Sequence, residues 1–164
     1  SDSLSLQHVR ERIAEMITTT EVMRSCLRAA EADAHKDARG VFMPARAPLD
    51  TARNLFPRLY PRMVEILQLN SSSHLMATPS EADMESALRP DIERYYAAAG
   101  ADANERIALY RLAWDAAASA FAGRQVLYER FFFGDPVRMA SALVDNTDLE
   151  PLVQRIKDFL KRTD

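Results

Sequence analysis

The chain has 164 residues and a mass of 18.5 kDa, with 48% hydrophobic residues, 27% charged residues and a formal net charge of -3. That is one domain, or one piece of a larger protein; it can bury a core, is not disordered, and carries no charge excess that points to nucleic acid. Four glycines and a single cysteine, Cys26, argue against a turn-rich β-sandwich or a doubly wound α/β fold, and exclude a disulfide framework or a thiolate metal cluster within one chain.

The first element is a long helix expected over residues 4–38. Its seam reads Leu6, Val9, Ile13, Met16, Thr20, Met23, Leu27, Ala30, Ala34, with steps of three and four that match the helical period. Gly40 is placed to stop it. The stretch "VFMPARAPLD" then reads as an extended connector. A second helix is expected over 50–69, with Asp50 as its N-cap. Pro57 and Pro61 each lack an amide donor, so this helix is expected to be kinked or split.

The region 71–100 is less regular. Two short helical turns are expected there, with Ser80 and Asp83 in the outline of a capping box. Gly100 breaks the chain, and Asp102 opens a long helix to about Phe133, with the seam Ile107, Tyr110, Trp114, Ala117, Phe121, Arg124, Tyr128, Phe131. Asp135 caps a further helix whose first residue is Pro136. A last helix over about 149–161 carries Leu152, Val153, Ile156, Phe159 and Leu160. Four substantial helices and almost no strand signal give an all-α four-helix bundle, one domain over 1–164.

No apolar run approaches the ~18–20 residues of a membrane span, and there is no secretory signal. With one thiol, these features predict a cytoplasmic protein without membrane contact. Ser1 in place of Met points to a trimmed start.

Little in the chain points to catalysis. Glu31 and His35 are four apart and have no second pair, so they read as surface charges rather than a di-iron motif. His74 beside Ser71–Ser73 lacks an orienting acid. The informative stretch is "AAASAFAGRQVLYERFFF", residues 116–133. Arg124 lies on the apolar seam behind a run of small residues that ends in Gly123. Glycine in a helix interior costs roughly 0.5–1 kcal/mol relative to alanine and permits close approach of a ligand or another backbone. A guanidinium there either forks a phosphate or pairs with an acid such as Glu129 in tight helix packing. Phe131–Phe133 cannot all face one core, so at least one meets another domain or subunit.

The segments "RNLFPRLYPRMVEIL", "LMATPSEADMES", "LRPDIERYY" and "ERFFFGDPVRMASAL" closely resemble the C-terminal region of the 4-hydroxyphenylacetate 3-hydroxylase family, over about Gln7 to Leu160. These are oxygenase components of two-component flavin-dependent aromatic hydroxylases. The resemblance implies a bundle like the C-terminal domain of acyl-CoA dehydrogenase, following N-terminal and middle domains that this chain lacks. It implies reduced FAD, supplied by a separate flavin reductase, and ortho-hydroxylation of a phenol. No catalytic residue carries over, because the family's phenol-binding groups lie in the missing domains. A flavin contact does carry over, at Phe121, Ala122, Gly123, Arg124 and Gln125, along with assembly into a homodimer or homotetramer. The resemblance leaves two other readings open: the same domain of a related CoA-ester dehydratase, and a non-catalytic helical oligomerisation or interaction subunit.

Overall fold

A computed structural model describes residues 5–161. Among them are nine helices: α1 (Gln7–Ala32), α2 (Arg46–Ser71), α3 (His74–Ala77), α4 (Glu81–Met84), α5 (Arg89–Tyr96), α6 (Ala103–Ala117), α7 (Ala120–Phe131), α8 (Pro136–Asp145) and α9 (Glu150–Lys161). The one sheet among them is the hairpin of β1 (His35–Lys36) and β2 (Phe42–Met43). The all-α expectation holds. Contacts divide the chain into two compact units, Ser1–Val22 with Phe56–Phe132, and Met23–Leu55 with Phe133–Asp164. Helices α1 and α2 contribute to both.

In the first unit α6 is the central helix and packs against α3, α5 and α7. The core here is built from small and branched side chains: Ile66, which is fully buried, with Leu75, Ala103, Ile107, Ala113, Ala117 and Ala122. The Arg62 guanidinium clamps α2 to α1 with a two-pronged pair to Glu15, at 2.7 and 2.9 Å. Arg12 donates to the Leu69 carbonyl and to Asn70 near the other end of the same contact. The Ser80–Asp83 capping box forms in full, each residue accepting the other's backbone amide. Asp102 and Glu105 form a second capping box at the start of α6, which is why that helix begins where the sequence indicates.

In the second unit Ala30, Ala52 and Met139 are buried. The Asn54 side chain donates to the Asp50 carbonyl and, at 3.4 Å, to that of Met139. Asp135 caps α8, and Pro136 takes the first turn, where a missing amide costs nothing.

Several boundaries differ from the sequence expectations. The start expected at Leu4 lies outside the described residues. Helix α1 ends at Ala32, not at 38, and His35 and Lys36 are strand. The Asp37 carboxylate accepts the amides of Arg39 and Val41, at 2.8 and 2.9 Å, and folds the chain into a hairpin. Gly40 supplies the positive φ of that turn, +80°, and is not a helix stop. Helix α2 starts at Arg46, so Asp50 lies inside it and is not its cap. Pro48 is tolerated because first-turn amides have no intrahelical partner. Nor is α2 split: it runs through Pro57 and Pro61. The two prolines are four residues apart, so both lost bonds fall on one face, and Pro57 is buried there. The helix expected over 102–133 is two, α6 and α7, broken at Ala118–Ser119.

Candidate functional site

The break between α6 and α7 has a local cause. The Ser119 hydroxyl accepts the amide of Ala122 at 3.1 Å and donates to the Asp115 carbonyl at 2.8 Å. Serine competes in this way for backbone groups that an uninterrupted helix would pair internally. The carbonyl of Ala117, freed at the end of α6, is taken by the Gln68 side chain at 2.5 Å. A new helix therefore starts at Ala120, immediately before the five residues singled out by the sequence.

Those five lie on the first turns of α7. Ala122 is buried, Gln125 is half-buried, and Phe121, Gly123 and Arg124 are exposed, Phe121 at 63%. The α7 part of the seam on which Arg124 was placed, Phe121, Arg124, Tyr128 and Phe131, faces away from the core of its own unit, whereas Ile107 and Ala117 on α6 are buried in it. The reason is angular: Arg124 follows the buried Ala122 by two residues, about 200° around the helix. Arg124 is thus not a buried charge.

The Gln125 amide donates to Glu129 at 2.7 Å. Glu129 is thereby engaged by Gln125, and among the described residues no ion pair engages Arg124. A Cβ built on Gly123 meets nothing within 4 Å. No neighbour in this unit needs the absence of a side chain there. The segment therefore presents a guanidinium, an open stretch of backbone and an exposed aromatic ring to whatever covers this face. A phosphate or another polyanion is the chemical match.

Other polar groups were given no site role by the sequence reading. Arg46 and Arg53 hold the buried Asp50 carboxylate between them at 2.9 and 3.1 Å, and Arg53 also donates to the Phe133 carbonyl. They border a cavity of ≈ 350 Å³ with Gly134 and Arg138. The acid and bases sit at spacings of four and three, a signal that would have placed Asp50 inside a helix. In the first unit, His74 stacks on Tyr110 at 4.8 Å, so His74 serves as a packing group. A cavity of ≈ 320 Å³ lies between Leu75, Pro79, Arg111 and Trp114. Among the described residues no cluster of His, Cys, Asp or Glu is arranged for a metal. Within the same limit, no helix is long and apolar enough to cross a membrane.

Residues 2–161 match the family model described as 4-hydroxyphenylacetate 3-hydroxylase C terminal. The chain is 49% identical over 156 residues to the 4-hydroxyphenylacetate 3-monooxygenase oxygenase component of Thermus thermophilus, covering 95% of this chain and 32% of that protein. It is 46% identical to the same component of a Geobacillus species, again spanning 32% of its length. A crystal structure of the oxygenase component of 4-hydroxyphenylacetate 3-monooxygenase complexed with FAD superposes with a TM-score of 0.94 at 48% identity, covering 98% of this chain and 34% of that one. An archaeal 4-hydroxybutyryl-CoA dehydratase from N. maritimus superposes with a TM-score of 0.85 at 17% identity, a likeness of fold alone. The fold is that of the acyl-CoA dehydrogenase-like bundle shared by these proteins. The chain spans about a third of the length of the relatives it matches.

Proposed function

Because the chain belongs to the 4-hydroxyphenylacetate 3-hydroxylase C-terminal family, we propose that residues 1–164 act as the C-terminal helical domain of a reduced-FAD-dependent oxygenase component. In this reading the domain provides one wall of the FAD site and part of the oligomer contact in the ortho-hydroxylation of a phenol. The observation that carries it is the match along the whole chain to an FAD-complexed oxygenase component, coupled with an open face at the residues assigned to the flavin.

The residues present fit the cofactor. Arg124 is an exposed guanidinium without an acid partner among the described residues, Gly123 leaves the backbone open, and Phe121 offers an exposed ring. Arg124 forks the pyrophosphate, or binds the ribose, of FAD. Phe121 and Gly123 shape the surface against it, while the Gln125–Glu129 bond stiffens the turn beneath. Bound reduced FAD supplies the oxygen chemistry, and the protein orients it and keeps out water. The N-terminal and middle domains bring the phenol-binding groups, a separate reductase supplies the reduced flavin, and the working protein is a cytoplasmic homodimer or homotetramer.

The test is Arg124→Leu in the oxygenase-length protein. Affinity for reduced FAD is expected to fall by about 1.5–3 kcal/mol, the range for a hydrogen bond to a charged group, with the melting temperature unchanged. A lower melting temperature with unchanged flavin affinity would make Arg124 a structural contact and remove the assignment.

A further inference from the structure

The cavity of ≈ 350 Å³ between α2 and the start of α8 carries more positive charge than its own residues neutralise. All of its lining belongs to the second unit. Three guanidiniums border it, those of Arg46, Arg53 and Arg138, and two carboxylates, those of Asp50 and Asp135. Both acids are already engaged. Asp50 is buried, and one of its oxygens accepts Arg46 Nε at 2.9 Å while the other accepts Arg53 Nη1 at 3.1 Å. Asp135 accepts the amide of Val137 at 3.0 Å as the cap of α8. Arg53 is fixed further by its bond to the Phe133 carbonyl at 3.0 Å, and its guanidinium lies 5.9 Å from the centre of the Phe133 ring. Arg138 is exposed, and among the described residues no hydrogen bond, ion pair or ring contact engages its side chain. We infer that a carboxylate borne on the domains outside residues 1–164 seats in this cavity and pairs with Arg138.

Charge balance sets the class of occupant. The surplus is a single positive charge, which one carboxylate closes. A phosphate, at about −1.5 to −2 near pH 7, would leave negative charge in excess beside Asp50. The guanidinium offers a planar fork that matches the two oxygens of a carboxylate. Exposure sets the source. Arg46 and Arg138 are both open to solvent, so a free carboxylate held between them would stay in water, where an ion pair adds little. Val137, next to Arg138 on α8, shows 71% of its surface. A carboxylate carried on another domain brings its own cover, shielding the pair and burying Val137 with it. The chain spans about a third of the length of the relatives it matches, so the remainder is large enough to supply that surface. This pairing presupposes that the chain is one domain of a longer oxygenase component, as proposed above, and is independent of the flavin contact.

Arg138→Glu tests it, because the expected sign depends on the occupant. In residues 1–164 alone, the substitution puts an acid into a cavity with surplus positive charge and should leave the melting temperature unchanged or raise it. In the oxygenase-length protein it sets two carboxylates together, and the melting temperature should fall by about 2–4 °C. Arg138→Lys, which keeps the charge without the fork, should recover much of that loss. An equal fall in both proteins would place the partner of Arg138 within residues 1–164 or in a second copy of them. No fall in the oxygenase-length protein would leave the cavity without a carboxylate. Arg138→Lys as damaging as Arg138→Glu would make the contact one of shape rather than charge. A last arm covers the free ligand: replacing chloride by acetate at fixed ionic strength should not raise the melting temperature of the oxygenase-length protein. A rise that Arg138→Leu abolishes would assign the cavity to a small carboxylate. Any of these four contrary results overturns the pairing. None of the variants alters Phe121–Gln125, so failure here would leave the Arg124→Leu result on flavin affinity standing, whereas product formation by residues 1–164 alone would remove the reading of the chain as one domain.

Discussion

Single residues decide where this chain opens to a partner. Gly123 is informative because nothing in its own unit approaches it. A glycine retained in a helix against its propensity, with no internal neighbour, points outward. The Glu15–Arg62 clamp is the internal counterpart. The hydrogen bond from Arg62 holds the Glu15 carboxyl below its usual range, burial opposes this, and the charge of Arg62 adds to the lowering. Both side chains remain partly exposed, so the contribution is modest. Its sign is fixed: a carboxylate with a depressed pKa in the folded state adds stability above its unfolded value, near pH 4.3, and loses it as pH falls through the folded value. Arg62 is shifted upward from an already high value and stays charged throughout that window. Thermal unfolding of the native chain and Glu15→Gln should therefore differ at pH 7, and the gap should close as pH falls below about 4.3 and through the lowered folded value. A gap that does not change with pH would mean the clamp works by packing alone.

At the scale of elements, periodicity and punctuation reveal most of the helices, and side-chain hydrogen bonds to the backbone account for the errors. Asp102, Ser80 and Asp135 carry their caps in the local sequence, and those helix starts are legible. The end of α1 is not, because the apolar seam runs on through Ala34 while Asp37 recruits the amides of Arg39 and Val41 for a hairpin. The break after Ala117 is hidden for the same reason: the seam keeps its period across Ser119, and only the Gln68 contact to Ala117, forty-nine residues away, compensates the broken end. Asp50 misleads because it resembles a cap, while its real partners are arginines four residues before and three after. The five residues proposed to contact flavin are singled out as such only through the family resemblance. Pattern alone placed Arg124 on a seam, and the turn of α7 shows that the seam faces outward. Ser119→Ala should lower stability by about 1 kcal/mol, the usual cost of losing an N-cap, and thermal melting reads it. No loss would mean that Gln68 alone sets the break.

For the whole molecule, surface is the main clue. The chain exposes 12145 Å². Two separate globules of the masses of the two units would together expose roughly 9,900 Å² by the area–mass scaling of folded proteins, so the excess does not depend on how the units are disposed. Much of it is apolar: Phe131 and Phe132 on and just after α7, Leu109, Leu112 and Trp114 on α6, and Leu152, Ile156 and Phe159 on α9 are all exposed. Apolar area of this extent belongs against other protein. That agrees with a chain spanning about a third of the relatives it matches. On the proposed reading, a flavin and phenol site needs further walls beyond this segment, since those walls carry much of the binding energy spent on orientation.

Product formation by the isolated chain tests this most directly. Purified residues 1–164, given reduced FAD, oxygen and 4-hydroxyphenylacetate, should release no hydroxylated product, while the oxygenase-length protein under the same conditions turns over at about 1 per second or faster, as enzymes commonly do. Turnover at that rate by the isolated chain would show that the site is complete within these helices, and would contradict the reading of the chain as one wall of it.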